Sequence, residues 1–414
     1  MEKNLYLLFL TDLNQGWTEM DNILSKSKEN QKLLIKIRRE LHMNAETSQN
    51  EIETSKIIMK YLDEFNIPYR SDVGGHGIVA EIKGNEPGKI VALRADMDAL
   101  EMEEETDIDF KSKNKNVMHS CGHDSHMTFL LGAAKLLNDN KDKIKGKVKL
   151  VFQPAEELSP IGGAPKILES GLLDDVDAIF GSHVWPDLPF GKIAVKEGPM
   201  MANSDHFTIK FIGASSHAAK PHEGVDAVVM GSQFVNAMQT LISRNTDPMN
   251  SAVLTVGRFI AGTRYNVMAE EALIDGTCRT FSYDDRMRIS KDMENLANAI
   301  AEVNHGKCEY NYGFGYPAVI NEKESVGVVK ESVAELFGKE SILDIEKPAM
   351  TAEDFAFYLE KIKGAFYWVG IGKEGEKNYP LHSKRFYLNE DILYRGAALM
   401  YEIATKFLNK NYSK

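Results

Sequence analysis

The run "KIVALRADMDAL" (residues 89–100) is apolar at nearly every position and then stops in two acids, Asp96 and Asp98. A strand with one wet face would alternate, whereas a strand buried on both faces reads as a continuous apolar run. Three neighbours repeat the design: "GIVAEIKG" (77–84), "KVKLVFQPAEE" (147–157) and "VDAIFGSHVWP" (176–186). Helical stretches stand between and before them. "ENQKLLIKIRRELH" (29–42) places Leu33, Leu34, Ile37 and Leu41 at helical spacing, and "NEIETSKIIMKYLDEF" (50–65) follows it. "HMTFLLGAAKLLNDN" (126–140) and "GAPKILESGLL" (163–173) complete an alternation that predicts an α/β domain.

Between residues 205 and 315 the rhythm changes. "HFTIKFIG", "SAVLTVGRFIAG", "EALIDGTCRTF" and "KCEYNYGFG" read as strands, and "VDAVVMGSQFVNAMQTLIS" and "RMRISKDMENLANAIAEVNH" as helices. Their order, β-α-β-β-α-β, is that of a ferredoxin-like unit. The chain is therefore expected to form a discontinuous domain from residues 1–204 and 316–414, with a module of residues 205–315 inserted.

The totals exclude several classes. In 414 residues, 43% hydrophobic and 27% charged positions give an ordinary globular balance. A net charge of −12 argues against binding to nucleic acid or an anionic membrane. The three cysteines, at 121, 278 and 308, make no disulfide framework and point to the cytoplasm. The apolar run "NLYLLFL" (4–10) is too short to span a bilayer and reads as an element packed on the body.

Chemistry gathers at the ends of the predicted strands. Asp96 and Asp98, Glu156 and Glu157, and His183 fall there, while "VMHSCGHDSHMTF" (117–129) adds Cys121 and His123 and "YPLHSKRF" adds His382. Each alone has a plain reading, since a strand-end Asp commonly caps a turn and a lone Cys is commonly a small buried hydrophobe. Together, at the edge of an α/β sheet where ligand sites form, they suggest a metal. A mixed sulfur, nitrogen and oxygen set suits Zn, Mn, Co or Ni better than Ca or Mg. The spacing matches neither a zinc finger nor an HExxH helix, which favours an open catalytic site over a closed structural one. Neighbouring residues on a strand point to opposite faces, so if Glu157 holds metal, Glu156 is free to act as a base on water.

At this point the sequence resembles a known family. "RADMDAL", "MHSCGHDSH", "VFQPAEE", "DAIFGSHVWP", "GASSHAAKPHEGVDAV", "MTAEDFAFYL" and "LHSKRF" resemble, in order, the motifs of the aminoacylase and glutamate-carboxypeptidase superfamily. They are most similar to its amidohydrolase branch of hippurate hydrolases, auxin-conjugate hydrolases and bacterial N-acyl-amino-acid deacetylases. The resemblance implies a zinc-peptidase-like mixed-sheet domain holding two divalent metals, Mn or Zn first, and a smaller lid that also forms a homodimer. It implies Cys121 (bridging), His123, Glu157, His183 and His382 as ligands, Glu156 as base, and Asp98 as a support for the ligands. Some relatives carry a ligating histidine where this chain has Asp96, and His123 takes that part here. In the lid it implies His217 beside the oxyanion, often supplied by the partner subunit, and Asn266 and Arg279 on the substrate carboxylate.

Four places depart from the family's usual wording: "HMNAE" for H-x-x-P-E, "NVMA" for N-V-I-P, "GASSH" before the lid histidine, and "SKRFYLNED" after His382. None removes an implied ligand. The expected activity is hydrolysis of N-acyl-L-amino acids to a carboxylate and a free amino acid. A dipeptidase or carboxypeptidase is the rival enzyme, since the same site serves both. A non-catalytic binding protein of this fold conflicts with the presence of Glu156, and a thiol-redox role conflicts with the lack of a second cysteine near Cys121.

Overall fold

The computed structural model describes residues 23–410, so the apolar run at 4–10 lies outside the described residues. Residues 23–29 are helical, and two longer helices follow, α1 (Gln31–Met43) and α2 (Ile52–Glu64). In α1 the periodic apolar set turns inward, with Leu34, Ile37 and Leu41 buried. Five strands follow: β1 (Tyr69–Val73), β2 (Gly77–Lys83), β3 (Glu86–Asp96), β4 (Lys145–Gln153) and β5 (Ala178–Pro189). Helix α3 (His123–Asp139) joins β3 to β4, and the short α4 (Ala164–Glu169) joins β4 to β5. The sequence predicts a longer second helix over 163–173. It ends early because Ser170 turns its hydroxyl back to the Ile167 carbonyl and Gly171 adopts φ +71°.

Beyond β5 come β6 (Ile193–Ala194), β7 (Gly198–Met201) and then the inserted strands. After the insertion the chain forms β12 (Val319–Asn321), helix α7 (Lys323–Phe337), β13 (Ile342–Leu343), β14 (Gly364–Gly372) and helix α8 (Leu393–Asn409). The main sheet runs β1-β2-β4-β3-β5-β14-β6-β13. Its centre is parallel, because β3 pairs in parallel with β4 and β5, and β14 with β5. The outer pairs β2–β4 and β6–β14 are antiparallel, so the sheet is mixed. The centre strands thus end together at one edge, which is where the chemistry sits.

Strand β14 is buried along its whole length in the middle of this sheet, yet the sequence alone assigns it no strand. A nine-residue apolar run without alternation cannot be told from a core helix by periodicity. Helix α3 is the other central element. It is buried around nearly its whole circumference and packs against α8, so its first residue, His123, starts from a rigid base.

The insertion comprises β8 (Asp205–Ile212), α5 (Ala227–Ala237), β9 (Ala252–Ala261), β10 (Glu271–Thr280), α6 (Tyr283–Val303) and β11 (Lys307–Gly313). Its four-stranded sheet has the order β11-β8-β10-β9, antiparallel throughout, and the β-α-β-β-α-β succession is the one expected from sequence. Phe207, Ile209 and Phe211 alternate along β8 and pack against Met230, Phe234, Ile289 and Met293 of the helices, a core separate from that of the main sheet. Strand β9 is an open edge, with Val253, Phe259 and Ile260 exposed.

The chain leaves for this unit at Ser204–Asp205 and returns at Gly315–Tyr316, and the two crossings are tied together. Asp205 accepts from Arg286 Nε at 2.9 Å, from the Tyr312 hydroxyl at 2.9 Å and from the Gly315 amide at 3.0 Å. Arg286 also donates to the Gly315 carbonyl at 2.8 Å, and the Ser204 amide to the Tyr316 carbonyl at 2.9 Å. Among the described residues, no helix is long and apolar enough to cross a membrane.

Candidate metal centre

The site is assembled at the edge where β3, β4 and β5 end. Asp96 closes β3 and Asp98 lies just beyond. Cys121 and Gly122 lead into α3, and Gly122, at φ +87°, is the turn that swings the chain into the helix. A Cβ there would stand 2.4 Å from a methyl of Val184, so only glycine lets the thiol's turn approach β5 this closely. His183 lies inside β5 rather than at its end. Pairing with β3 stops at Gly181, and β5 continues alone beside β14, which exposes His183 toward the cluster.

The reason expected for separating Glu156 from Glu157 does not hold. Both lie past the end of β4, where strand alternation no longer applies, in a turn in which Ala155 has φ +57°. One oxygen from each carboxylate comes within 4.8 Å of a His123 nitrogen.

Of five sets that bring donor atoms within 4.8 Å of one another among the described residues, three join the expected ligands: Cys121, His123 and His183; Cys121, Glu157 and His382; and His123, Glu156 and Glu157. Cys121 Sγ lies 3.2 Å from His183 Nε2, and His382 Nε2 lies 3.2 Å from Glu157 Oε1. The backbone orients both buried imidazoles. His123 donates from Nδ1 to the Asp98 carbonyl at 2.8 Å, and His183 from Nδ1 to the Val184 carbonyl at 2.7 Å. In its neutral form each keeps an Nε2 lone pair for the cluster, the tautomer a metal ligand needs. His126 also sits close by, but Asp96 takes its Nδ1 at 2.7 Å and the Val184 amide donates to its Nε2 at 2.9 Å. With both nitrogens used, His126 has no lone pair to offer.

The residues fit a bound cation. His123 Nε2 is buried without a hydrogen-bond partner, a costly arrangement unless something else engages it. The local charge is equally one-sided. Burial pushes the Cys121 thiol well up, and Glu157, Glu156 and Asp96 push it further. Burial likewise raises Glu156, with Glu353, Glu157 and Asp354 adding to the effect. Burial would lower His123, yet Asp96, Asp98 and Glu157 outweigh it and bring the imidazole up to about 10. Buried acids in such excess call for positive charge, and divalent ions supply it.

Asp98 is positioned as a support. Its Oδ2 accepts from the Ser48 hydroxyl at 2.6 Å and from the Glu157 amide at 2.9 Å, and its Oδ1 lies 3.4 Å from His123 Nδ1. The three lid residues are elsewhere. His217 is exposed and accepts the Ala219 amide on Nδ1 at 3.0 Å, while the neighbouring Ala218 amide bonds to the Asn266 carbonyl at 3.2 Å. Arg279 donates to the Asn203 carbonyl at 3.3 Å. These bonds link the three to the lid and its root; none is to a residue of the donor cluster.

Four residues that sequence reasoning passed over complete the surroundings. Arg94, fully buried, holds Asp96 at 2.7 Å, Asp354 at 2.8 Å and Glu353 at 3.0 Å. Glu353 is a buried carboxyl raised to about 8, burial being the main cause, and it lies beside Glu156. Glu51 accepts the Ala155 amide at 2.8 Å, and Tyr316 donates to the Glu156 carbonyl at 2.5 Å. Glu353 stands in the motif "TAEDF", which pointed at it without a role; Glu51 and Tyr316 carried no local signal.

A buried thiol, imidazole and carboxylate set with a further carboxylate alongside, at the edge of an α/β sheet, is the site of a metal-dependent hydrolase. The chain belongs to peptidase family M20/M25/M40, whose sequence profile matches residues 92–406. It is 39% identical over 381 residues to an N-acetyl-L-cysteine deacetylase of Bacillus subtilis, covering 92% of this chain and 89% of that protein. It is 37% identical over 394 residues to thermostable carboxypeptidase 2 of Saccharolobus solfataricus, covering 94% of this chain and 99% of the relative. Among solved structures it is similar to a dinuclear metal-binding peptidase of the M20 family from Bacillus subtilis. That match has a TM-score of 0.81 at 36% identity and covers 92% of this chain and 99% of the other.

Proposed function

We propose that this chain is a metal-dependent amidohydrolase that cleaves the amide bond of N-acyl-L-amino acids, releasing a carboxylate and a free amino acid. One observation carries the reading: five donor residues and a spare carboxylate converge, with His123 Nε2 buried and unbonded. Cys121, His123, Glu157, His183 and His382 would hold two divalent ions. Mn or Zn suits the mixed donor set best, with Co or Ni next. When bound, such ions make water a nucleophile near neutral pH and polarise a carbonyl.

Glu156 takes the proton from the attacking water on its carboxylate and delivers it to the departing amide nitrogen. Asp98 keeps His123 and Glu157 in place from behind. His217 suits the developing oxyanion, because the Ala219 amide occupies Nδ1 and leaves the proton on Nε2, free to donate. Arg279 and Asn266 hold the substrate carboxylate, Arg279 as a bidentate donor.

The lid residues belong to a site completed by a second subunit. The open β9 edge and the exposed Val228 and Val229 of α5 support a homodimer through the lid. Free cysteines at 121, 278 and 308 agree with a cytoplasmic setting. The likeness to a carboxypeptidase supports a second reading, cleavage of dipeptides or C-terminal residues. A screen over N-acetyl, N-benzoyl and indoleacyl amino acids beside free dipeptides, with Mn or Zn added, decides between them. Glu156→Gln should keep its metals and lose at least ~10²-fold in kcat. Metal loss in Glu156→Gln, rather than in Glu157→Gln, would show that the two roles are exchanged.

A further inference from the structure

The turn that carries Glu156 is gripped at three successive backbone groups. Glu51 takes the Ala155 amide at 2.8 Å, Tyr316 donates to the Glu156 carbonyl at 2.5 Å, and Asp98 takes the Glu157 amide at 2.9 Å. All three side chains are buried, Glu51 at 0% exposure, Asp98 at 1% and Tyr316 at 4%. Such a grip is needed, because Ala155 is held at φ +57°, a conformation a side chain disfavours and that surrounding contacts must enforce.

Two of the grips come from the main domain, but the third comes from the root of the lid. Tyr316 is the residue at which the chain re-enters from the insertion. Its carbonyl accepts the Ser204 amide of the outgoing crossing, and its neighbour Gly315 is tied to Asp205 and Arg286. Its ring lies against Phe357, with centroids 6.0 Å apart. Gly162, at φ +67°, is a second close neighbour, where a Cβ would come within 3.1 Å of the ring and 2.7 Å of Asp354. The ring is wedged, so movement of the crossing reaches the hydroxyl, and the hydroxyl holds the peptide from which the Glu156 side chain springs.

We propose that Tyr316 is a positioning residue for the general base, linking the lid's root to the orientation of the Glu156 carboxylate. The inference rests on Glu156 being the base. Substrate drawn against the lid would shift the crossings, and Tyr316 would carry that shift into the turn, aligning the base only when the lid is engaged. The arrangement also accounts for a phenol at 316, because the ring alone would fill the wedge but leave the buried Glu156 carbonyl without a donor.

Tyr316→Phe removes the hydroxyl and keeps the ring. In the metal-loaded enzyme with an N-acetyl amino acid, kcat should fall by roughly 10- to 100-fold, the scale of a small misplacement of a reacting group. KM and metal content should stay within about twofold, and 4-aminophenylalanine at 316, which retains a donor, should restore most of the rate. Combined with Glu156→Gln, the same substitution should change the residual rate by less than about twofold, since groups acting as a unit are not additive. Asp205→Asn, which loosens the crossing, should lower kcat in the otherwise native chain and have no effect beside Tyr316→Phe. Should Tyr316→Phe fail to fold, Asp205→Asn alone still decides, and an unchanged kcat there overturns the proposal. An unchanged kcat in folded Tyr316→Phe overturns it too, as does a loss that persists in full beside Glu156→Gln. If Glu156→Gln is itself fully active, it is the assignment of the base that fails.

Discussion

His123 and His217 are both histidines of the proposed site, and they are held in opposite ways. His123 is fully buried, begins a core helix, and has its Nδ1 bound by the Asp98 carbonyl. His217 is exposed on a loop, and its ring bonds to an amide two residues away. The main-domain half of the site is preorganised by long-range contacts within one chain. In the lid half, only His217 is exposed with its tautomer fixed, while Arg279 is half-buried against the Asn203 carbonyl. Preorganisation therefore belongs to the metal side, and the proposed second subunit bears on the substrate side.

Substitution on the metal side should have the largest effect. Cys121→Ala should lose bound metal and activity together, read by metal analysis of the purified protein and by turnover; full metal with full rate would remove the thiol from the donor set. His217→Ala should keep its metals and lose about 10²–10³-fold in kcat, as for other oxyanion donors. Mixing it with Glu156→Gln under subunit exchange tests assembly directly. Random pairing gives mixed dimers with one intact site, and roughly a quarter of native activity should return. No recovery despite verified exchange would place His217 in its own subunit's site or outside the chemistry. Arg279→Ala should act mainly on KM, raising it by about 10- to 100-fold, the value of a hydrogen bond to a charged group. It should also erase the preference for a free carboxylate over an amide at that end of the substrate.

The smallest effect concerns the fold around the buried half. Burial works to raise Glu104, but bonds from His42, Thr106 and the Ser112 amide overcome it and hold the carboxyl at about 2. A depressed carboxyl stabilises the fold above its unfolded value near 4.5, and that contribution fades as pH falls toward 2. Glu104→Gln should therefore cost on the order of 1–2 kcal/mol at pH 7 and less at pH 3. Melting curves across that range check it; an equal loss at both ends would show that packing, not charge, is at stake.

What could be read from sequence divides along the same line. The inner strands β2–β5, the order of the lid elements and the donor residues that cluster at the sheet edge were legible, since apolar runs and rare residue types in short motifs are local signals. His183 was found although the strand runs on past it, because a histidine after an apolar run stands out whatever the pairing. Strand β14 was not legible, and neither were Glu51 and Tyr316, which meet the Glu156 turn across 104 and 160 residues of chain. Local pattern says what a residue can do, while only the fold says whose backbone it holds. Ala155 shows the limit most plainly, since nothing in its identity announces a left-handed turn.

The exposed edge of β9 has a consequence for how the enzyme behaves in dilute solution. If each working site draws His217 from a second copy, specific activity is not a constant of the molecule. It falls as the protein is diluted below the dissociation constant of the pair, and it recovers when an inactive copy with an intact lid is added in excess. Assays at very low enzyme would then understate the rate, and in a cell the copy number of the chain would itself set the turnover per molecule.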